Sequence, residues 1–300
     1  MNYIIIDLEW NNAYASKVSG FINEVFEIGA VMLNEELYVV DTFSCFIRPQ
    51  ISKRLRGKVK RLTNTTNEDV FSGITFNQAL SEFGRWVGDS ENIILTWGDA
   101  DIRVLMENNR YINSVQRLPF LSVYADLQKL FHRIKKLPSK EQPGLVTAAE
   151  IVGINVEIFS LHRALDDSLL SAEIFRRIFD AEKLKEISVK ADDKFYDRLE
   201  FKPHNITRLN HPLVDKTQLS YNCKYCGLPA ERISEWKYSK QYFRADFFCD
   251  VCNKEFKVGV RFRKYFERLE VSKTVKEITD LPDSDEKTPN QGTVARSESI

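Results

Sequence analysis

Tyr3-Ile4-Ile5-Ile6-Asp7-Leu8-Glu9-Trp10 is the stretch on which the fold of this chain turns. Residues 2–9 are apolar and β-branched and then acidic, so they read as a buried strand whose C-terminal end meets solvent. Along a strand, residues i and i+2 point to the same side, so Asp7 and Glu9 project together. Like charges held that close are costly unless a cation neutralises them, which points to a divalent metal. An isolated Asp-x-Glu would more simply be an acidic strand end facing water.

Working outward, residues 24–33 and 37–47 read as two further strands, with Asn34-Glu35-Glu36 between them as a hairpin connection. Phe76, Leu80, Phe83, Trp86 and Val87 share one face of a helix over 76–87. Ile93–Trp97 is a short buried strand, and a helix follows from about Asp101. Residues 121–126 form a strand or turn before an amphipathic helix to about Lys135. Pro138 and Pro143 bracket a loop, and 145–152 and 161–179 read as helices. Early antiparallel strands followed by alternating strand and helix make a mixed α/β domain spanning about 180 residues.

Two more elements supply chemistry. Asp101 sits just past the 93–97 strand, where α/β sheets commonly build sites, with Asp99 as a neighbour easily mistaken for it. His162-Arg163-Ala164-Leu165-Asp166-Asp167 opens a helix, and its irregular entry would let His162 and Asp167 face one cleft. In this order the pieces resemble the DEDDh family of 3′–5′ exonucleases. The matches are Ile5-Ile6-Asp7-Leu8-Glu9, Trp97-Gly98-Asp99-Ala100-Asp101 and His162-x-Ala164-Leu165-x-Asp167, with Glu27-Ile28-Gly29-Ala30-Val31 as a second strand. Leu62-Thr63-Asn64-Thr65-Thr66 resembles the family's Leu-Thr-Gly-Ile-Thr segment, with Asn64 in place of the usual glycine; asparagine also enters the left-handed region. The Trp-Gly-Asp-x-Asp form looks most like the sporulation-inhibitor and enhanced-RNAi exonuclease branch.

The resemblance covers about residues 1–180 and implies a ribonuclease H-like mixed sheet flanked by helices. It also implies a phosphodiester hydrolase with two Mg²⁺ or Mn²⁺ ions, about 4 Å apart in such sites. Asp7 would bridge the ions, Glu9 and Asp167 would complete the tighter site, and Asp101 would act directly or through water. His162 would be the general base, since an imidazole's ordinary pKa of about 6.5 suits that role near neutral pH. The implied substrate is single-stranded RNA or DNA with a free 3′ end, RNA being favoured through the branch. The alternatives are a DNA exonuclease of repair or proofreading, or a nucleic-acid-binding regulator with a vestigial nuclease domain. The presence of all five expected catalytic residues speaks against the last. Arg48 to Arg61 holds seven cations and no acid, and within it Lys53, Arg54 and Arg56 read either as phosphate contacts or as an ordinary solvated surface. Trp10 either stacks on the terminal base or packs at the rim.

The remaining sequence forms a separate module. Cys223-x-x-Cys226 and Cys249-x-x-Cys252 suit one tetrahedral Zn²⁺ with every position filled by thiolate, a structural site that looks like a zinc ribbon. Cys45 lies in an apolar stretch and reads as buried strand packing. A reducing, cytoplasmic setting fits this cysteine usage. There is no signal-peptide pattern and no apolar run approaching the roughly 20 residues of a membrane-spanning helix. The domains expected are 1–180, a charged helical connector over 181–199, the zinc module over 200–276 and a disordered tail over 277–300.

The net charge is zero, with 43 Lys+Arg against 43 Asp+Glu, but it conceals opposed regions. Residues 200–276 carry 16 Lys+Arg against 9 Asp+Glu, 277–300 carry 2 against 6, and 1–199 carry 25 against 28. The cations of the zinc module are interleaved with aromatics, a pattern suited to single-stranded nucleic acid, with protein–protein docking as the rival reading, although several rings must form the module's own small core.

Overall fold

A computed structural model describes residues 1–278 apart from Ser139 and Ser160. The chain divides into two compact units after Glu200.

The first unit is built on β1 (Asn2–Ala15), β2 (Gly20–Leu33) and β3 (Val39–Phe46), followed by α1 (Gly57–Thr63), α2 (Asn67–Phe71), α3 (Phe76–Val87) and β4 (Asn92–Thr96). Then come α4 (Ala100–Asn113), β5 (Val123–Asp126), α5 (Leu127–Ile134), α6 (Leu145–Ile151), α7 (Ala164–Ile178), α8 (Ala181–Ile187), β6 (Val189–Lys190) and α9 (Asp193–Glu200). The sheet order is β3-β2-β1-β4-β5-β6, with β1, β4 and β5 parallel and the other pairs antiparallel. Helices cover both faces. The two-residue period of β1 sends Ile4, Ile6 and Leu8 into one core with α3, α4 and α9, and Tyr3 and Ile5 into the other with α5, α6 and α7. Asp7 and Glu9 share the parity of Tyr3 and Ile5, so they emerge on the face that α7 covers.

Helix α3 begins where a capping box says it should: Thr75 accepts from the Gln78 amide while Gln78 reaches back to Thr75. Asn64 sits at φ 50° in the left-handed region, the conformation its place in Leu-Thr-Asn-Thr-Thr requires.

Three expectations differ from what is observed. Strands β1 and β2 run beyond 2–9 and 24–33 into a long hairpin, closed by a short 3₁₀ turn at Ser16–Val18. Its outer half buries two polar side chains. Glu24 accepts from the amides of Gln50, Ile51 and Ser52 at 2.6–2.8 Å, and Asn11 accepts from the Arg56 amide and donates to Ser52 Oγ. Cys45 is half-buried on an edge strand whose outer residues are exposed. The charged segment 181–199 is no free connector, because Leu184 enters one core of the first unit and Phe195, Tyr196 and Leu199 enter the other.

The second unit contains β7 (His204–Asn205), β8 (Glu231–Arg232), β9 (Lys237–Ser239), β10 (Tyr242–Cys249), β11 (Lys254–Lys264) and β12 (Leu269–Ile278). Its antiparallel sheet runs β12-β11-β10-β8, with β7 beside β11 and β9 beside β10. Phe243, Phe247, Phe256 and Phe262 fill its core, so part of the module's aromatic set is structural. Glu277 and Ile278, expected to begin the tail, end β12; residues 279–300, where the rest of that tail falls, lie outside the described residues. No helix among the described residues is long and apolar enough to cross a membrane.

Helix α7 lies against β2 at Gly29, where an added Cβ would come within 2.1 Å of the Ala164 and Leu165 backbone. Gly29→Ala should therefore push α7 off the sheet and cost about 1–3 kcal/mol or more. Thermal unfolding checks this; a Tm matching wild type would mean the helix has slack that the packing does not show.

Candidate functional site

Four carboxylates meet near the middle of β1, just past the residues that pair with β4. Asp7 and Glu9 come from alternate positions of the strand, opposite Gly29 and Glu27 of β2. Asp167 comes from the first turn of α7, one residue before Ser168, whose hydroxyl donates to the Gly29 carbonyl at 2.9 Å. One carboxylate oxygen from each of Asp7, Glu9 and Asp167 lies within 4.8 Å of the others. Asp101, buried in the first turn of α4, accepts from the Leu8 amide at 3.2 Å and so hangs on β1 between the two strand acids. Asp99 turns away to pair with Arg103 at 2.9 Å.

The electrostatics agree with the distances. Burial, then the charges of Asp101, Asp167 and Glu9, holds the Asp7 carboxyl well above the usual carboxylate range. Glu9 is pushed up to about 8 by burial and then by Asp167 and Glu27. Asp101 rises to about 7, burial outweighing the amides that favour its ionised form. Asp167 is also raised, chiefly by burial. Such a group of oxygen donors cannot all ionise without positive charge among them, and hard divalent cations are the ions it fits.

His162 stands apart from this trio of ligand atoms. It is exposed, takes φ 68°, and its backbone N–H donates to Asp167 Oδ2 at 3.2 Å. Trp10 is half-buried and packs against a core of the first unit. Lys53, Arg54 and Arg56 are exposed on the loop that Asn11 and Glu24 pin down, and the Arg56 guanidinium lies 5.7 Å from the Phe21 ring centroid.

One pair escaped the sequence reading. Glu27 is fully buried directly opposite Glu9 and is gripped by Arg163 through Nε and Nη2 at 3.0–3.2 Å. Arg163 thereby offsets part of the charge of a fifth carboxylate beside the cluster. The available signal was an acid inside an otherwise apolar strand.

The cysteines also come together. One Sγ from each of Cys223, Cys226, Cys249 and Cys252 lies within 4.8 Å of the rest, with Cys223–Cys252 at 3.8 Å and Cys226–Cys249 at 3.5 Å. Zn–S bonds of about 2.3 Å in a tetrahedron put sulfurs about 3.8 Å apart, so the set fits zinc. Burial opposes the Cys223 thiolate, but the Cys226 and Tyr225 amides bring it down to about 7. Cys252 is pushed up to about 12, first by its hydrogen bond with Cys226. By contrast, burial pushes the lone Cys45 up to about 12, an unreactive thiol.

An exonuclease family description, RNase_T, matches residues 4–175. The probable 3′–5′ exonuclease KapD of Bacillus subtilis is 28% identical over 179 residues, covering 58% of this chain and 83% of its own. The DNA polymerase III subunit epsilon of Aquifex aeolicus is 29% identical over 180 residues, covering 59% of this chain and 80% of its own. Among solved structures, the nuclease domain of 3′hExo, a DEDDh family member bound to rAMP, superposes with a TM-score of 0.53. At 24% identity it covers 64% of this chain and 96% of that one, a likeness of fold.

Two outcomes follow from these clusters. The folded chain keeps protons on its carboxyls at pH values where the unfolded chain has released them. In Mg²⁺-free buffer stability should therefore fall as pH rises from about 4 to about 8, the value reached by Glu9. At pH 8 either Mg²⁺ or Asp7→Asn should raise the Tm by a few degrees, about 2–4 °C per kcal/mol recovered. A pH-independent Tm in that window would contradict the electrostatics. Stripping zinc should raise hydrogen exchange across 201–278 and leave 1–200 protected; uniform protection throughout would show that the thiols do not depend on the ion.

Proposed function

The chain belongs to the RNase_T exonuclease family, and from that premise we propose that it removes nucleotides one at a time from the 3′ end of single-stranded nucleic acid, RNA before DNA. It is a metal-dependent 3′–5′ exonuclease, a phosphodiester hydrolase. The observation that carries the reading is the meeting of Asp7, Glu9 and Asp167 within 4.8 Å, with Asp101 joined to them through the Leu8 amide.

These four residues would hold two Mg²⁺ or Mn²⁺ ions, their oxygens suiting hard cations. When bound, such ions neutralise charge on the attacking and leaving oxygens of a phosphodiester. His162 takes the proton of the attacking water. Its exposed position, tied by its own amide to Asp167, suits a group that must meet substrate from solvent. Arg163 pairs with Glu27 and offsets part of the charge that this acid places beside Glu9. Lys53, Arg54 and Arg56 attract the phosphates of the incoming strand, and Trp10 bounds its terminal base. The zinc module helps to hold the strand, and Zn²⁺ is the ion proposed for its cysteines.

The preference for RNA rests on the Trp97-Gly98-Asp99-x-Asp101 form of the second motif. The likeness to a DNA polymerase III subunit favours DNA as the second reading. Both are tested on 5′-labelled RNA and DNA oligomers of matched sequence with Mn²⁺ or Mg²⁺. A ladder shortening from the 3′ end is expected, faster on RNA, abolished by Asp7→Ala and slowed about 10²–10⁴-fold by His162→Ala. Equal ladders from wild type and Asp7→Ala would remove the assignment, and a faster DNA ladder would reverse the preference.

A further inference from the structure

The sheet of the second unit has a face that its core does not use. Phe243, Ala245 and Phe247 of β10 and Phe256, Val258, Val260 and Phe262 of β11 all enter the core. The alternate positions therefore take the other face. Register aligns Lys237, Arg244, Gly259 and Thr274 in one row across β9, β10, β11 and β12, and Asp246, Lys257 and Lys276 in the next. Arg261 and Arg263 continue the same face along β11. Glu255 and Glu270 share this face with Asp246, and Arg261 donates to Glu270 at 3.3 Å, so the cations outnumber the acids but do not stand alone.

An aromatic ring stands among them. The guanidinium groups of Arg244 and Arg261 each lie 5.2 Å from the ring centroid of Tyr242. Beside it is Gly259, where an added Cβ would meet Thr274 Oγ1 at 2.6 Å, Arg244 Nη1 at 3.3 Å and Tyr242 Cδ1 at 3.4 Å. The missing side chain is what allows Arg244, Tyr242 and Thr274 to close into one flat patch.

The same face also carries buried polar atoms. Five buried side-chain polar atoms lack a hydrogen-bond partner among the described residues, and three of them are Asn205 Oδ1, Asp246 Oδ1 and Arg261 Nε. Asn205 pairs with Arg263 across β7 and β11, which puts it on this same face. Lys257 Nζ stands 3.8 Å from Asp246 Oδ1, too far for a hydrogen bond. These atoms have no surface of their own for a ligand to touch, and their side chains are held within the sheet, Arg261 by Glu270 and Ser272 and Asp246 by Lys257, so what the face offers a ligand is its cations and the Tyr242 ring.

We propose that this face binds single-stranded nucleic acid, a base lying against Tyr242 and its phosphates running along Lys237, Arg244, Arg263 and Lys276. Bases supply a flat ring, and the backbone supplies the anions. An acidic peptide answers the cations but gives Tyr242 no base to stack on. The inference rests on the reading of the chain as an exonuclease of single strands and assigns a strand-holding surface outside the carboxylate cluster.

The test uses the full zinc-loaded chain and two readouts. Binding of labelled oligouridylate and oligothymidylate is followed by fluorescence anisotropy in an Asp7→Asn background, which blocks cleavage. Tyr242→Ala with Arg244→Glu should raise Kd about tenfold or more, the loss of one ring–base stack and one phosphate contact, and should flatten the salt dependence. Tyr242→Phe keeps a ring and should keep affinity, which separates stacking from a folding defect. With Asp7 intact, the same double variant should hydrolyse the p-nitrophenyl ester of thymidine monophosphate, a single-nucleotide substrate, at the wild-type rate. Unchanged oligonucleotide affinity with normal ester hydrolysis would overturn this inference alone. Failure of the wild type on both ester and oligomer would overturn the exonuclease reading instead. Displacement of the oligomer by polyglutamate at equal concentration would make the surface an acidic-protein dock and refute the nucleic-acid assignment.

Discussion

The carboxylate site depends on how closely α7 can approach β2. A helix normally lies on a sheet at the distance its side chains impose, and at Gly29 there is no side chain to impose one. The helix backbone then sits where a Cβ would be, and Ser168 ties it down through the Gly29 carbonyl. Asp167 is one residue from that tether, so the docking of the helix and the placing of the carboxylate are a single event. Asp7 is paired with Gly29 across the two strands. The missing Cβ on one strand and the acid on the other are therefore halves of the same arrangement.

This arrangement stores unfavourable energy. Burial and mutual repulsion raise Asp7, Glu9, Asp101 and Asp167 together. The fold tolerates this because the long apolar strand β1 and the cores on either side hold the carboxylates in place. Arg163 limits the load by pairing with Glu27, and it does so from the residue adjoining His162. The Arg–Glu grip thus fixes the backbone of the segment from which the proposed base projects. The cysteine cluster relieves its charge differently: four thiolates leave a tetrahedral ion no open position, which suits a structural ion, whereas hard cations on carboxylates take further oxygen ligands.

Much of this was legible in the sequence, and the reasons are particular. The two-residue period of β1 gave the shared side of Asp7 and Glu9, and the apolar stripe of Phe76, Leu80, Phe83, Trp86 and Val87 gave α3 its bounds. Asn64 was legible because only a few residue types enter the left-handed region readily. The outer hairpin was not, because residues 10–15 lack an apolar alternation and Glu24 looks like a surface acid. Its burial depends on three amides at 50–52 that it meets only after folding. Segment 181–199 failed differently: its charge density masked a narrow buried stripe in which Leu184, Phe195, Tyr196 and Leu199 suffice to dock it. The Glu27–Arg163 pair joins residues far apart in the chain, and no local pattern announces such a pair.

The opposed charges of the two units follow from the chemistry each must accommodate. Residues 1–199 need their acids, because cation-holding sites are made of carboxylates, and a surface made generally basic to attract nucleic acid would compete with the ions for those oxygens. Concentrating cations in residues 200–276 avoids that conflict. A small sheet is a poor place for them, since its core is limited and one face is left to solvent. The cysteine cluster compensates by joining the 223–226 and 249–252 turns through one set of sulfurs, which fixes the start of β11 against the end of β10. The continuous β10–β11 ladder then holds Arg244 opposite Gly259, and Tyr242 and the two guanidiniums meet at the end of the strands away from the cysteines.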